Sequence, residues 1–123
     1  MFQTQAAMTV DRINSRVSII RIQGEFTGKV ESCLAQAYAT AGHHGSSAII
    51  LDLARVDYLD SSGIGLLIQL LLQAQAHQQR ILGYGLNEHY REILSITRLD
   101  RTLGLYPTER AAVTAAQQER ACN

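Results

Sequence analysis

The sequence predicts an α/β fold: a mostly parallel mixed β-sheet with an antiparallel N-terminal edge strand and about four α-helices. Three observations carry that expectation. From Val17 onward, short apolar strands alternate with helical apolar patterns, an order that right-handed crossovers turn into a parallel sheet. Ala48-Ile49-Ile50-Leu51-Asp52-Leu53 is apolar except at Asp52, as suits a parallel strand buried on both faces. A weaker apolar stretch at Met8-Thr9-Val10 faces the first strong strand across a polar turn from Asp11 to Arg16, which gives a hairpin edge.

The elements follow in the order β-β-α-β-α-β-α-β-α. Val17 to Gln23 alternates as a strand does and ends at Gly24. Thr27 can cap a first helix whose apolar face is Val30, Cys33, Leu34, Ala37 and Tyr38. That helix stops near Gly42, and His43-His44-Gly45-Ser46-Ser47 reads as a solvated loop. After the Ala48–Leu53 strand, a second helix spans about Ser62 to Gln79, and Arg80 to Gly85 is the next inner strand. Asn87 caps a third helix with Tyr90, Ile93, Leu94 and Thr97 on one face. Thr102 to Tyr106 is a short last strand, Pro107-Thr108 opens the final helix, and residues from about 111 to 123 form that helix and a frayed tail.

Composition bounds the function. The 123 residues are expected to form one domain, 1–123, large enough for a core without metals or disulfides. Apolar residues are 46% and charged residues 18%, with zero formal net charge, so no global field favours nucleic acid or an anionic membrane. The densest charge cluster, Arg98, Asp100 and Arg101, has mixed sign. Cys33 lies on a helix stripe and Cys122 near the C-terminus, so no disulfide is expected. Met1 to Gln5 lacks a signal-peptide pattern, and the longest apolar stretch, Ile64 to Leu72, is too short for membrane insertion. A reduced, cytoplasmic setting is expected.

The functional signal is Asp60-Ser61-Ser62-Gly63-Ile64-Gly65, where the apolar strand gives way to the second helix. In a parallel sheet this junction lies at the carboxyl ends of the strands. A hydroxyl at a helix N-terminus sits where backbone N–H groups and the helix dipole favour negative charge, so a nucleophile or a phosphate suits it. A hydrolase nucleophile needs Gly-x-Ser-x-Gly, but Leu59 and Asp60 stand where the sharp turn needs small residues. Of the downstream histidines, His77 falls more than ~20 Å along the helix at about 1.5 Å per residue. Phosphate-loop and dinucleotide fingerprints are missing, and the histidines show no metal spacing. No catalytic residue, metal ligand or cofactor is expected.

Helix capping by Asp60 or Ser61 needs one polar residue; Asp60, Ser61 and Ser62 offer three, and Gly63 lets backbone approach closely. At about 100° per residue, Ile64, Leu67, Ile68, Leu71 and Leu72 define the expected core face of the second helix. Leu66 and Leu70 then fall on the far side with Gln69 and Gln73, as a solvent-facing patch for a protein partner.

These residues resemble the STAS domains, and within them the stand-alone bacterial anti-sigma factor antagonists. The resemblance runs through Ile20 to Glu25, Ile49 to Leu53, Val56 to Leu67, Leu99 to Leu103 and Tyr106 to Ala111. It implies a STAS fold with Ser61 as phosphoacceptor, flanked by Asp60 and Ser62 as recognition and capping positions. It further implies an anti-sigma factor with serine kinase activity as partner, held by the unmodified protein and released on phosphorylation, and a cognate phosphatase that resets the switch. A non-switching STAS scaffold or accessory subunit of a signalling or lipid-transport complex is the alternative. A Leu66/Leu70 patch would serve a homodimer equally well. The chain departs from many antagonists at Glu25-Phe26-Thr27-Gly28-Lys29, where an aspartate-containing turn is common, and at Asn87-Glu88-His89, which lacks the usual proline.

Overall fold

The computed structural model describes residues 7–43 and 45–118. The elements are β1 (Ala7–Arg12), β2 (Val17–Phe26), α1 (Glu31–His43), β3 (Ala48–Leu59), α2 (Ser61–Ala76), β4 (Arg80–Tyr84), α3 (Glu88–Ile96), β5 (Gly104–Tyr106) and α4 (Glu109–Gln118). One sheet contains all five strands in the order β1-β2-β3-β4-β5. The β1–β2 hairpin is antiparallel and every other pairing is parallel, as the alternation of strands and helices predicts. Cys122, His44 and the tail beyond Gln118 lie outside the described residues, whereas Gln117 and Gln118, expected to fray, belong to α4.

Period-two alternation sends the two sides of each strand into different cores. Ile20, Ile22, Leu51 and Leu53 meet Leu34 of α1, Leu67 of α2 and Leu94 of α3. Val17, Ile19, Ile50, Leu82 and Tyr84 meet Ala112 and Ala116 of α4. The layers are therefore three helices, the sheet, and one helix. Cys33 is half-buried against the first core. Among the described residues, no helix is long and apolar enough to cross a membrane.

The strands differ from expectation where the site is built. β3 does not end at Leu53 but continues to Leu59, because β2 pairs with it as far as Phe26–Leu59. Val56 and Leu59 turn inward along this arm, while Arg55, Asp57 and Tyr58 face water, so its composition resembles a loop. β4 leaves the sheet at Tyr84, opposite Asp52. There Gly85, at φ +84°, passes so close to Ala54 that a side-chain carbon on it would lie 2.6 Å from the Ala54 Cβ. Thr27 caps a single 3-10 turn, Gly28–Val30, that leads into α1.

The expected orientation of α2 is overturned. Leu66 and Leu70 are 8% and 3% exposed, whereas Ile68 and Leu72 are 40% and 60% exposed. The inward face is Gly63, Leu66, Leu67, Leu70, Leu71 and Ala74. Residues 64–72 are apolar around almost the whole helix, so the apolar pattern alone does not choose an inner face. The small residues decide it. Gly63 abuts Phe26, and its hypothetical Cβ would lie 2.1 Å from the Phe26 carbonyl oxygen and 3.0 Å from the Leu59 side chain.

Candidate functional site

Asp60 is the N-cap of α2, in extended backbone, and its Oδ1 accepts the Gly63 N–H at 2.9 Å. The same oxygen accepts the Ser62 hydroxyl at 2.7 Å. Ser62 Oγ in turn accepts the Gly28 N–H at 2.8 Å. Three elements are thus joined: the end of β3, the first turn of α2 and the turn after β2. The Ser62 hydroxyl and then the Gly63 N–H hold the Asp60 carboxyl below the usual aspartate range, so it is ionised at neutral pH.

Ser61 is different. It is exposed, and its hydroxyl makes no hydrogen bond among the described residues. The two adjacent serines are therefore not equivalent: Ser62 is a structural member of the cap, and Ser61 presents a free hydroxyl at a helix N-terminus.

Ser61 also begins a line along α2. At about 100° per residue, Ser61, Gly65, Ile68 and Leu72 fall within a sector of about 60°. Gly65 has open space where a side chain would be, and Ile68 and Leu72 are exposed. No residue from Ser61 to Ala76 is charged. The outward face of α2 is thus an uncharged apolar stripe headed by a hydroxyl.

Of the expected partner-binding residues, Gln69 and Gln73 are exposed on α2. Leu66 and Leu70 do not form a solvent patch; they lie at the bottom of a groove of about 410 Å³ between α1 and α2, which Gln69, Gln73 and Leu72 border. Sequence reasoning missed Ile68 and Leu72 as the outward apolar residues. It also missed Phe26 and Gly28, whose parts are long-range contacts that leave no local signal.

A second polar cluster lies on the α4 face of the sheet. Arg21 donates to Asp11 at 2.6 Å, and at 3.2 Å each to Asp52, Glu109 and the Tyr84 hydroxyl. Tyr84 donates to Glu109 at 3.1 Å. Asp11, then Glu109, hold the guanidinium charged well above its ordinary range, and burial followed by Asp52 raises the Tyr84 phenol. Its sequence signal is a charge in mid-strand, Arg21 between Ile20 and Ile22 and Asp52 between Leu51 and Leu53, which demands partners. These bonds run from Asp11 of β1 through Arg21, Asp52 and Tyr84 to Glu109, so the cluster fastens α4 to four strands.

Residues 9–107 match the family model described as Mlab, STAS domain. The chain is 26% identical over 109 residues to BtrV of Bordetella bronchiseptica, a protein named as an anti-sigma factor antagonist, covering 89% of this chain and 90% of that one. The crystal structure of an anti-sigma factor antagonist from Mycobacterium paratuberculosis superposes with a TM-score of 0.79 at 24% identity, over 93% of this chain and 96% of the other. The Bacillus cell fate determinant SpoIIAA in its phosphorylated form gives a TM-score of 0.68 at 22% identity, over 88% and 97%. At these identities the two structures establish the fold alone.

Proposed function

The chain belongs to the STAS-domain family, and from that premise we propose that it is an anti-sigma factor antagonist that switches partners through Ser61. Unmodified, it binds an anti-sigma factor with serine kinase activity and so frees a sigma factor. Phosphorylation of Ser61 ends the complex, and a phosphatase restores it. The protein is a binding module without catalysis of its own, a single domain acting in the cytoplasm.

The observation that carries this reading is the contrast between the two serines. Ser62 Oγ is committed to Asp60 and Gly28; the Ser61 hydroxyl is free, exposed and aligned with Ile68 and Leu72. A phosphoserine carries about −1.5 to −2 charges at neutral pH. The N-terminus of α2 tolerates that charge, so the domain stays folded. The cost falls on the complex, where a dianion beside the ionised Asp60 must be desolvated against an apolar, uncharged face. Converting a nearly full complex to a nearly empty one takes about 5.5 kcal/mol, and leaving a charge buried without a partner costs about 3–5 kcal/mol alone.

Ile68 and Leu72 replace Leu66 and Leu70 as the outward apolar contacts, with Gln69 and Gln73 beside them. The second reading is a STAS domain docked permanently as a scaffold or accessory subunit of a signalling or lipid-transport complex. The matching family model favours it to the extent that it is described as Mlab and not as an antagonist.

Intact mass and phosphosite mapping of the protein from its own cells, with and without stress, separate the two. A phosphate on Ser61 whose occupancy changes supports the switch. A Ser61 that stays unmodified under every condition favours the scaffold.

A further inference from the structure

We infer that the groove between α1 and α2 receives an amphipathic helix of the anti-sigma factor, with a lysine or arginine of that helix set against Glu31. This rests on the reading of Ser61 as the switch and specifies how the partner is held.

The groove is made of two facing helical stripes. Glu31, Leu34, Ala35 and Tyr38 line it from α1, at the spacing i, i+3, i+4, i+7. Leu66, Gln69, Leu70 and Gln73 line it from α2 at the same spacing. Both helices start from the end of the sheet where Gly28 bonds Ser62, so the stripes run side by side. Seven residues at about 1.5 Å each give roughly 10 Å, two helical turns. That length accepts two or three anchors of a helix laid along it, the helix-in-groove mode of recognition.

The groove is already formed. Its floor is Leu34, Leu66 and Leu70, each under a tenth exposed. Its lower end is fixed by Tyr38, whose hydroxyl donates to Gln79, while the Gln79 amide donates to the Ser46 carbonyl at 3.1 Å.

The occupant follows from the chemistry of the walls. An extended strand would leave backbone N–H and C=O groups against apolar side chains, whereas a helix satisfies its own. Glu31 is the one charged residue lining the groove; it is exposed, and its carboxylate makes no ion pair or hydrogen bond among the described residues. A cation on the occupant complements the charge at that end. A second copy offering its own α2 would not, since Ser61 to Ala76 contain no charged residue. Leu72 borders the groove and also belongs to the line from Ser61, so a helix seated here is continuous with the face that phosphorylation would disrupt.

The test is calorimetric titration of the full chain with the serine-kinase anti-sigma factor of the same cells, using Ala35→Arg, Glu31→Gln and, as a control on α3, Arg91→Ala. Ala35 is exposed, so Ala35→Arg should block the groove without disturbing the core, and circular dichroism checks that the variant is folded. The expected result is a loss of affinity of about tenfold or more for Ala35→Arg. Glu31→Gln weakens binding several-fold and reduces its salt dependence, and Arg91→Ala binds as the parent does. Groove variants that bind within about twofold of the parent, while Ser61→Asp abolishes binding, overturn the groove and leave the switch standing. A parent chain that does not bind the anti-sigma factor at all overturns both. A homodimer that Ala35→Arg dissociates overturns the assignment of the occupant, which is then a second copy.

Discussion

Gly63 and Phe26 are in contact so close that a methyl on Gly63 would sit 2.1 Å from the Phe26 carbonyl oxygen. The glycine is fixed to backbone, not to a side chain that could move aside. This contact sets the rotation of α2 and therefore points Ser61, Ile68 and Leu72 outward.

Gly63→Ala is accordingly expected to destabilise the fold by about 3 kcal/mol or more, despite the gain in helix propensity. Urea unfolding checks it. A change within about 0.5 kcal/mol would mean that Gly63 does not determine the seat of α2.

The two serines should separate under substitution. Ser62→Ala removes the hydroxyl that donates to Asp60 and accepts from Gly28, and is expected to cost about 1 kcal/mol. Ser61→Ala touches no hydrogen bond and should stay within about 0.5 kcal/mol of the parent. Paired denaturation curves read both.

Much of the fold was legible because its signals are local. Asn87 ahead of Tyr90 marks a cap and does cap α3, and Ile49-Ile50-Leu51 marks a central parallel strand and is one. The site was legible as far as Asp60 to Gly63, where polar residues interrupt an apolar run. The outward face of α2 was not, because its rotation depends on Gly63 meeting Phe26 across 37 positions of sequence. The arm from Ala54 to Leu59 was hidden for a related reason: its strand state is imposed by pairing with β2, against a composition that suits a loop.

Acid should erode the cap in a defined direction. The folded-state pKa of Asp60 is depressed, so its contribution is present above the unfolded aspartate value and is lost as pH falls through the folded one. Asp60→Ala should therefore be less stable than the parent at neutral pH, and the gap should close as acid protonates the parent's carboxylate. Thermal melts from pH 7 downward measure it; a gap that widens in acid would contradict the cap.

Arg21 fastens α4 to the sheet through Glu109 and Tyr84. Arg21→Ala leaves Asp11, Asp52 and Glu109 without their shared cation, and is expected to destabilise by about 1–2 kcal/mol. Hydrogen exchange should show faster opening of α4 than of α1, because α4 is seated mainly on Ala112 and Ala116. Uniform exchange across both helices would remove Arg21 from that role.

Gln78 closes α2 in left-handed backbone, at φ 59°, with the Gln79 N–H donating to the Ala74 carbonyl at 2.8 Å. Glycine adopts this conformation without the side-chain penalty, so Gln78→Gly is expected to stabilise by about 0.5–1 kcal/mol. A lower thermal midpoint would mean that the glutamine side chain contributes more than its backbone costs.

The most direct test of the central claim is the affinity of the purified anti-sigma factor for two forms of this chain, unmodified and carrying phosphoserine at position 61, each verified as folded. The account predicts tight binding of the unmodified chain and a loss of at least about a hundredfold, or ~2.7 kcal/mol, on phosphorylation. Equal affinity for the two forms would contradict it.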